Sequence, residues 1–211
     1  MRNVKFRDGN KVAVRSIWCL GRNYALHARE LGNEVLTQPL VFQKGLNALH
    51  PLEGSVTLPR NRGTVHFETE LIALVGNAAD QNPAIIGLAV GLDLTLRDEQ
   101  SVLKEKGHPW ALAKSFDGAG IVGPFKPVSE FNDLDDIRFA MTLNGDLRQS
   151  GNTNHMMLPM TQLLDYFTNF TTLQSGDLIF TGTPEGIGEL QPGDEAELSI
   201  EDVPQGRIRF S

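Results

Sequence analysis

The sequence holds one cysteine, two tryptophans and two tyrosines in 211 residues, and it has no long apolar run. Each shortage excludes something. A single Cys19, set in "SIWCLG", cannot close an intrachain disulfide, and it reads as a small buried hydrophobe rather than a reactive thiol. The longest apolar stretch, "PAIIGLAVGL", is far too short to cross a bilayer, and the opening "MRNVKFRDGNKVAV" lacks the apolar centre of a secretory signal. Positive charge is also scarce: 19 Lys and Arg stand against 26 Asp and Glu, a net −7, with no extended basic run. A soluble, cytoplasmic protein that binds neither nucleic acid nor membrane is therefore expected. Absent too are a G-x-S-x-G elbow, a Walker A loop, an H-E-x-x-H helix and any C-x-x-C pair.

What is present points to a β-rich chain. Hydrophobic residues make up 40% of it, enough for one full-sized core, and no linker, repeat or low-complexity segment divides residues 1–211. Residues 1–16 read as an N-terminal hairpin around Asp8, Gly9 and Asn10. "FAMTLNGDLRQS" reads as another, with Asn144 and Gly145 at the positive-φ positions of a type I′ turn. Helices are few. "LTLRDEQSVLKEKG" has Thr95 placed to cap, acids in the first turn, lysines in the last and Gly107 to stop it. Asn23 and Gly32 bound a second, short helix, and "MLPMTQLLDYFTNF" is a third, amphipathic one. A few short helices against many strands give an α+β fold.

Within "TVHFETELIALVG", Glu68 and Glu70 are two residues apart and so emerge on one face of a strand. A solvated face of an edge strand would explain them, with Phe67, Leu71 and Ala73 turned inward. The register argues otherwise, because Glu68 and Glu70 continue the face of Ile72 and Leu74. Carboxylates entering a buried face need a cation. Asp93 follows another core-like strand and ends just before the helix, where ligand sites often open. Two glutamates and one aspartate suit Mg²⁺ or Mn²⁺, hard cations that prefer oxygen. Arg97 and Gln100 follow at four and seven residues from Asp93, near enough to lean toward such a centre.

"GRNYALHARE", "HFETEL", "GLDLTLRDEQ", "HPWALAKSFD", "NGDLRQSGNT" and "GDLIFTGTPEGIG" follow one another as in the fumarylacetoacetate hydrolase family, and the chain resembles its short acylpyruvase-like branch from about residue 17 onward. The resemblance implies a mixed β-roll, a homodimer, and one divalent metal held by Glu68, Glu70 and Asp93. It aligns Arg97, Gln100, Lys114 and Thr183 with substrate-contacting positions, His27 and Glu30 with a catalytic dyad, and Arg22, Tyr24 and Lys44 with further contacts. His27 and Glu30 fall at i and i+3 of the short helix, so the carboxylate can orient the imidazole and raise its basicity, and the helix can act as a lid. His66 is a candidate support to the metal ligands.

The activity expected on this resemblance is hydrolysis of the C–C bond of a short acylpyruvate or related 1,3-diketo acid, a small anionic 2-oxo acid. His27 would activate water, and Lys114 would serve the enolate left after cleavage. Decarboxylation or tautomerisation of oxaloacetate is the alternative, since both pass through a similar enolate without an attacking water. Isomerase or hydratase activity in aromatic catabolism stands further off.

Overall fold

The computed structural model describes residues 2–25, 30 and 39–211. Turn chemistry closes the first hairpin: Gly9 takes φ +92° and Asp8 accepts the Asn10 N–H at 2.9 Å, so β1 (Asn3–Lys5) pairs with β2 (Lys11–Ala13). The chain continues through β3 (Ile17–Gly21), β4 (Leu40–Lys44), β5 (Leu49–Pro51), β6 (Ser55–Val56), β7 (Val65–Phe67), β8 (Thr69–Asn77) and β9 (Pro83–Asp93). A two-residue strand, β10 (Thr95–Leu96), leads into helix α1 (Arg97–Glu105) and the single turn α2 (Ala111–Lys114). Next come β11 (Gly120–Val122), β12 (Lys126–Pro127), the hairpin of β13 (Arg138–Leu143) and β14 (Asp146–Asn152), and helix α3 (Leu163–Thr168). The last strands are β15 (Leu178–Phe180), β16 (Gly188–Glu189), β17 (Glu195–Ile200) and β18 (Val203–Phe210).

The largest sheet runs β4-β3-β15-β8-β9-β11-β5, with β12 also paired to β9. It is mixed, because β15 pairs with β3 and β11 with β5 in parallel while its other pairs are antiparallel. A second sheet runs β14-β13-β17-β18-β6, and a short third one β10-β7-β16. This is the β-rich fold with few short helices that the sequence predicts. Asn144 and Gly145 both take positive φ, 54° and 90°, at the hairpin between β13 and β14.

β8 and β9 sit inside the large sheet with both faces covered, which explains their near-continuous aliphatic composition. Leu71, Ala73 and Val75, with Leu88, Val90 and Leu92, join the main core together with Phe139, Met141 and Leu198 of the second sheet. Ile72, Leu74 and Ala89 join a smaller core under the N-terminal hairpin, with Val4, Val14 and Phe125. The edge-strand reading of Glu68 and Glu70 therefore fails: β8 is an interior strand.

Three local expectations are corrected. Thr95 does not cap α1; it pairs with His66 in the short sheet and its hydroxyl donates to the Asp93 carbonyl at 3.2 Å, so the helix begins two residues later. Tertiary pairing here overrides a capping preference. Asn23 is fully buried and its side chain bridges Leu158 N–H and Thr181 O, at 2.8 and 2.9 Å, instead of capping. The third helix is shorter than its amphipathic pattern, with a 3₁₀ turn over Met160–Gln162 before α3, which anchors Phe167 against Trp18. The rest of the short helix after Asn23, apart from Tyr24, Ala25 and Glu30, lies outside the described residues. Among the described residues no helix is long and apolar enough to cross a membrane.

Gly91 shows how tightly these strands approach. It pairs with Glu70 on one side and Val122 on the other, and a Cβ there would lie 2.1 Å from the Ile121 carbonyl oxygen and 2.5 Å from Ile72 Cδ1. Gly91→Ala should cost about 1–3 kcal/mol, the usual cost of overpacking. Urea unfolding would show it as a lowered midpoint; an unchanged midpoint would contradict this packing.

Candidate active site

Three carboxylates converge where β7, β8 and β9 meet. Glu68 occupies the step between β7 and β8, Glu70 is the second residue of β8, and Asp93 closes β9. Asp93 N–H donates to the Glu68 carbonyl at 2.8 Å, tying two of the acids together through the backbone. One oxygen from each of Glu68, Glu70 and Asp93 lies within 4.8 Å of the others, and all three residues are buried.

Such a cluster is held only by opposing charge. Lys114, at the end of α2, donates to Glu68 and to Asp93, both at 2.8 Å. Burial alone would lower its pKa, but Asp93 and then Glu68 outweigh that and raise it, so the ammonium stays charged. Arg97 pairs with Glu68 and also donates to Gln100 Oε1 at 2.7 Å. Lys44 Nζ lies 2.6 Å from Asp93, its side chain wholly buried, and donates to the carbonyls of Leu94 and Lys114.

Glu70 is the exception. Its carboxylate accepts the Gly182 N–H at 2.8 Å, yet no Lys or Arg among the described residues pairs with it. Burial, followed by repulsion from Asp93 and Glu68, pushes its pKa well above the ordinary carboxylate range. A buried acid lacking a cation beside two others that point oxygens at it is what a hard divalent ion satisfies. The donor set fits Mg²⁺ or Mn²⁺.

Beside the trio opens a narrow cleft lined by Arg22, Arg97, Gln100, Lys104, Lys114 and Thr183, with Phe42 and Trp110 as aromatic wall. Arg22, Arg97, Gln100, Lys114 and Thr183 are thus brought together in one cleft. Lys44 sits behind Asp93 rather than in the cleft. Tyr24 is buried against Phe139, with ring centres 6.5 Å apart, and is also outside the lining. Glu30 is exposed and accepts the Gly186 N–H, its two oxygens at 3.1 and 3.2 Å. His27 lies outside the described residues. His66 is half-buried beside the trio, its pKa lowered by burial and then by Arg97.

Two residues were missed by sequence reasoning. Buried Gln149 accepts the Thr69 N–H at 2.8 Å and donates to Thr183 Oγ1 at 2.9 Å, so it links the acid strand to the loop that carries Thr183. Its signal was a polar residue on the inward side of a hairpin strand. Lys104 lines the cleft because it lies seven residues, about two turns, beyond Arg97 on α1.

Residues 16–210 match the family model for the fumarylacetoacetate hydrolase C-terminal domain. The chain is 39% identical over 195 residues to the oxaloacetate tautomerase YcgM of Escherichia coli, covering 89% of each. Over 193 residues it is 36% identical to a mitochondrial oxaloacetate decarboxylase of Dictyostelium discoideum, covering 88% of each. Its structure matches the crystal structure of fumarylpyruvate hydrolase from Pseudomonas aeruginosa in complex with Mn²⁺ and pyruvate, with a TM-score of 0.91 and 30% identity over 99% of this chain and 95% of the other.

The displaced Glu70 gives the site a pH signature. Its folded pKa exceeds its unfolded one, so the folded protein holds a proton that the unfolded chain has released, and metal-free stability falls as pH rises from the unfolded value through the folded one. A cation binding the ionised trio removes that penalty. Mg²⁺ or Mn²⁺ should therefore raise the Tm by several degrees more at about pH 8 than at about pH 5.5. Thermal unfolding at both pH values measures this, and equal shifts would argue against the trio.

Proposed function

The chain belongs to the fumarylacetoacetate hydrolase family, and from that premise we propose that it interconverts the enol and keto forms of oxaloacetate at the acid trio. The observation that carries this reading is the charge of the site. Lys44, Lys114 and Arg97 pair with the acids, and Arg22 and Lys104 add positive charge to the same cleft, so a divalent cation at Glu68, Glu70 and Asp93 would leave the cleft strongly positive. An anionic 2-oxo acid, a dianion more than a monoanion, offsets that charge. The tautomerase relative supports the same choice.

Glu68, Glu70 and Asp93 would hold Mg²⁺ or Mn²⁺, which would supply Lewis acidity toward a 2-oxo acid. Arg97 and Gln100 grip the oxo-acid end through charge-assisted and neutral hydrogen bonds, and Thr183, fixed by Gln149, meets it from the opposite loop. Lys114 faces the C2 oxygen and stabilises the negative charge it gains in the enolate. Ketonisation removes a proton from the C2 hydroxyl and adds one at C3. Lys114, held charged between two carboxylates, has no lone pair with which to accept, and we assign the proton transfer to His27 and Glu30, the dyad that the family resemblance implies.

Hydrolysis of an acylpyruvate is the second reading. Glu30 on the Gly186 N–H favours it, because that contact holds this carboxylate at the loop of Thr183, where a water could be held against a bound carbonyl. Both readings use the trio and Lys114 in the same roles.

Ultraviolet absorbance of enol-oxaloacetate decides between them. The Mg²⁺-supplied protein should speed its loss, and Lys114→Met should lower kcat by roughly 10²–10³-fold, the usual worth of an oxyanion-stabilising donor. Ketonisation no faster than in buffer, with acetylpyruvate or fumarylpyruvate cleaved instead, would overturn the tautomerase reading. Chelation should abolish either activity, and turnover persisting in excess chelator would sink the metal-site assignment.

A further inference from the structure

The cations around the trio are not equally engaged. Arg97 is paired with Glu68, Lys114 with Glu68 and Asp93, and Lys44 is sealed behind Asp93. Lys104 lines the same cleft, half-buried, and among the described residues it has neither a carboxylate nor a hydrogen-bond partner. Its ammonium stands 5.3 Å from the centre of the Trp110 ring. Trp110 packs on Phe42 with ring centres 5.6 Å apart, and Phe42 in turn lies 5.1 Å from the Lys114 ammonium. One aromatic pair thus spaces an ion-paired ammonium from one whose contact is the Trp110 ring.

A lysine in the last helical turn also complements the helix dipole, but exposed Lys106 at the end of α1 can do that without losing hydration. Lys104 is held at a cost: burial, then the charges of Arg97 and Arg22, push its pKa down to about 8. Cation–π contact with Trp110 offsets only part of that. An anion entering the cleft would offset the rest.

We propose that Lys104 is a specificity-determining residue that receives the distal carboxylate of a dicarboxylic 2-oxo acid while Arg97 and Gln100 hold the oxo-acid end. The inference rests on the oxo-acid reading of the cleft and adds to it the selection of a dianion over a monoanion. α1 would then read both ends of the ligand from one face, with Arg97, Gln100 and Lys104 spaced three and four residues apart. Nothing in this role touches the reacting carbons.

Oxaloacetate and its 4-methyl ester share a carbon chain and differ in charge only at the distal end. Each is titrated calorimetrically into the Mg²⁺-supplied protein, as wild type, Lys104→Gln, Lys104→Met and Lys104→Arg, with the fold of every variant checked by circular dichroism. Wild type should favour oxaloacetate over the ester by roughly tenfold, the reach of one charge-assisted hydrogen bond. Both neutral variants should bring that ratio close to one, and Lys104→Arg should keep most of it. A ratio that is the same in wild type and in the neutral variants overturns the role of Lys104 and leaves the oxo-acid reading standing. Binding of neither compound by wild type removes the oxo-acid reading, and the inference falls with it.

Discussion

Repulsion among three carboxylates buried within 4.8 Å of one another is the constraint to which the rest of this molecule answers. In a protein interior, such charges push each other apart by an amount comparable with the whole stability of a domain unless cations stand among them. Among the described residues, β4, α1 and α2 supply Lys44, Arg97 and Lys114, and none of these pairs with Glu70. That gap is chemical information. It specifies a hard cation and its place without any ion in view.

The scaffold keeps the gap open by rigid means. Glu70 lies on a strand paired on both sides, by β15 and β9, and its carboxylate is pinned by the N–H of Gly182, whose φ of 97° only glycine adopts freely. Gln149 reaches from the second sheet to fasten Thr69, between the two glutamates, to the Thr183 loop. Acids therefore come from the sheet, while the polar groups that line the cleft beside them come largely from α1, α2 and loops. Chemistry and recognition occupy separate structural layers, which accords with relatives that carry the names of a tautomerase, a decarboxylase and a hydrolase on one architecture.

Period-two alternation in the sequence was enough to place Glu70 on the face of Ile72 and Leu74, and that face is buried. Asp93 was legible because a core-like strand ended at it. The family blocks carried the positions in the cleft. What escaped was what only long-range pairing creates: Lys44 meets the Lys114 carbonyl across 70 residues, and Gln149 meets Thr69 across 80. Thr95 failed for a related reason, since its pairing with His66 is invisible in the local run that makes it look like a cap. Tyr24 and Lys44 fall outside the cleft lining, because contact with a site and support of a site leave the same trace in a sequence block.

That small strand before α1 has a mechanical consequence. Thr95 and Leu96 pair with His66 and Val65, and the Arg97 N–H is bonded to the Thr64 carbonyl at 2.9 Å, so the helix leaves the sheet at a fixed rotational phase. Each residue of an α-helix advances it by about 100°. A one-residue insertion or deletion at this junction would swing Arg97, Gln100 and Lys104 together away from the acids, with every side chain still present and the sheet untouched. The two-residue strand acts as an indexing pin, and the cleft is set as much by the angle at which α1 is clamped as by the residues it carries.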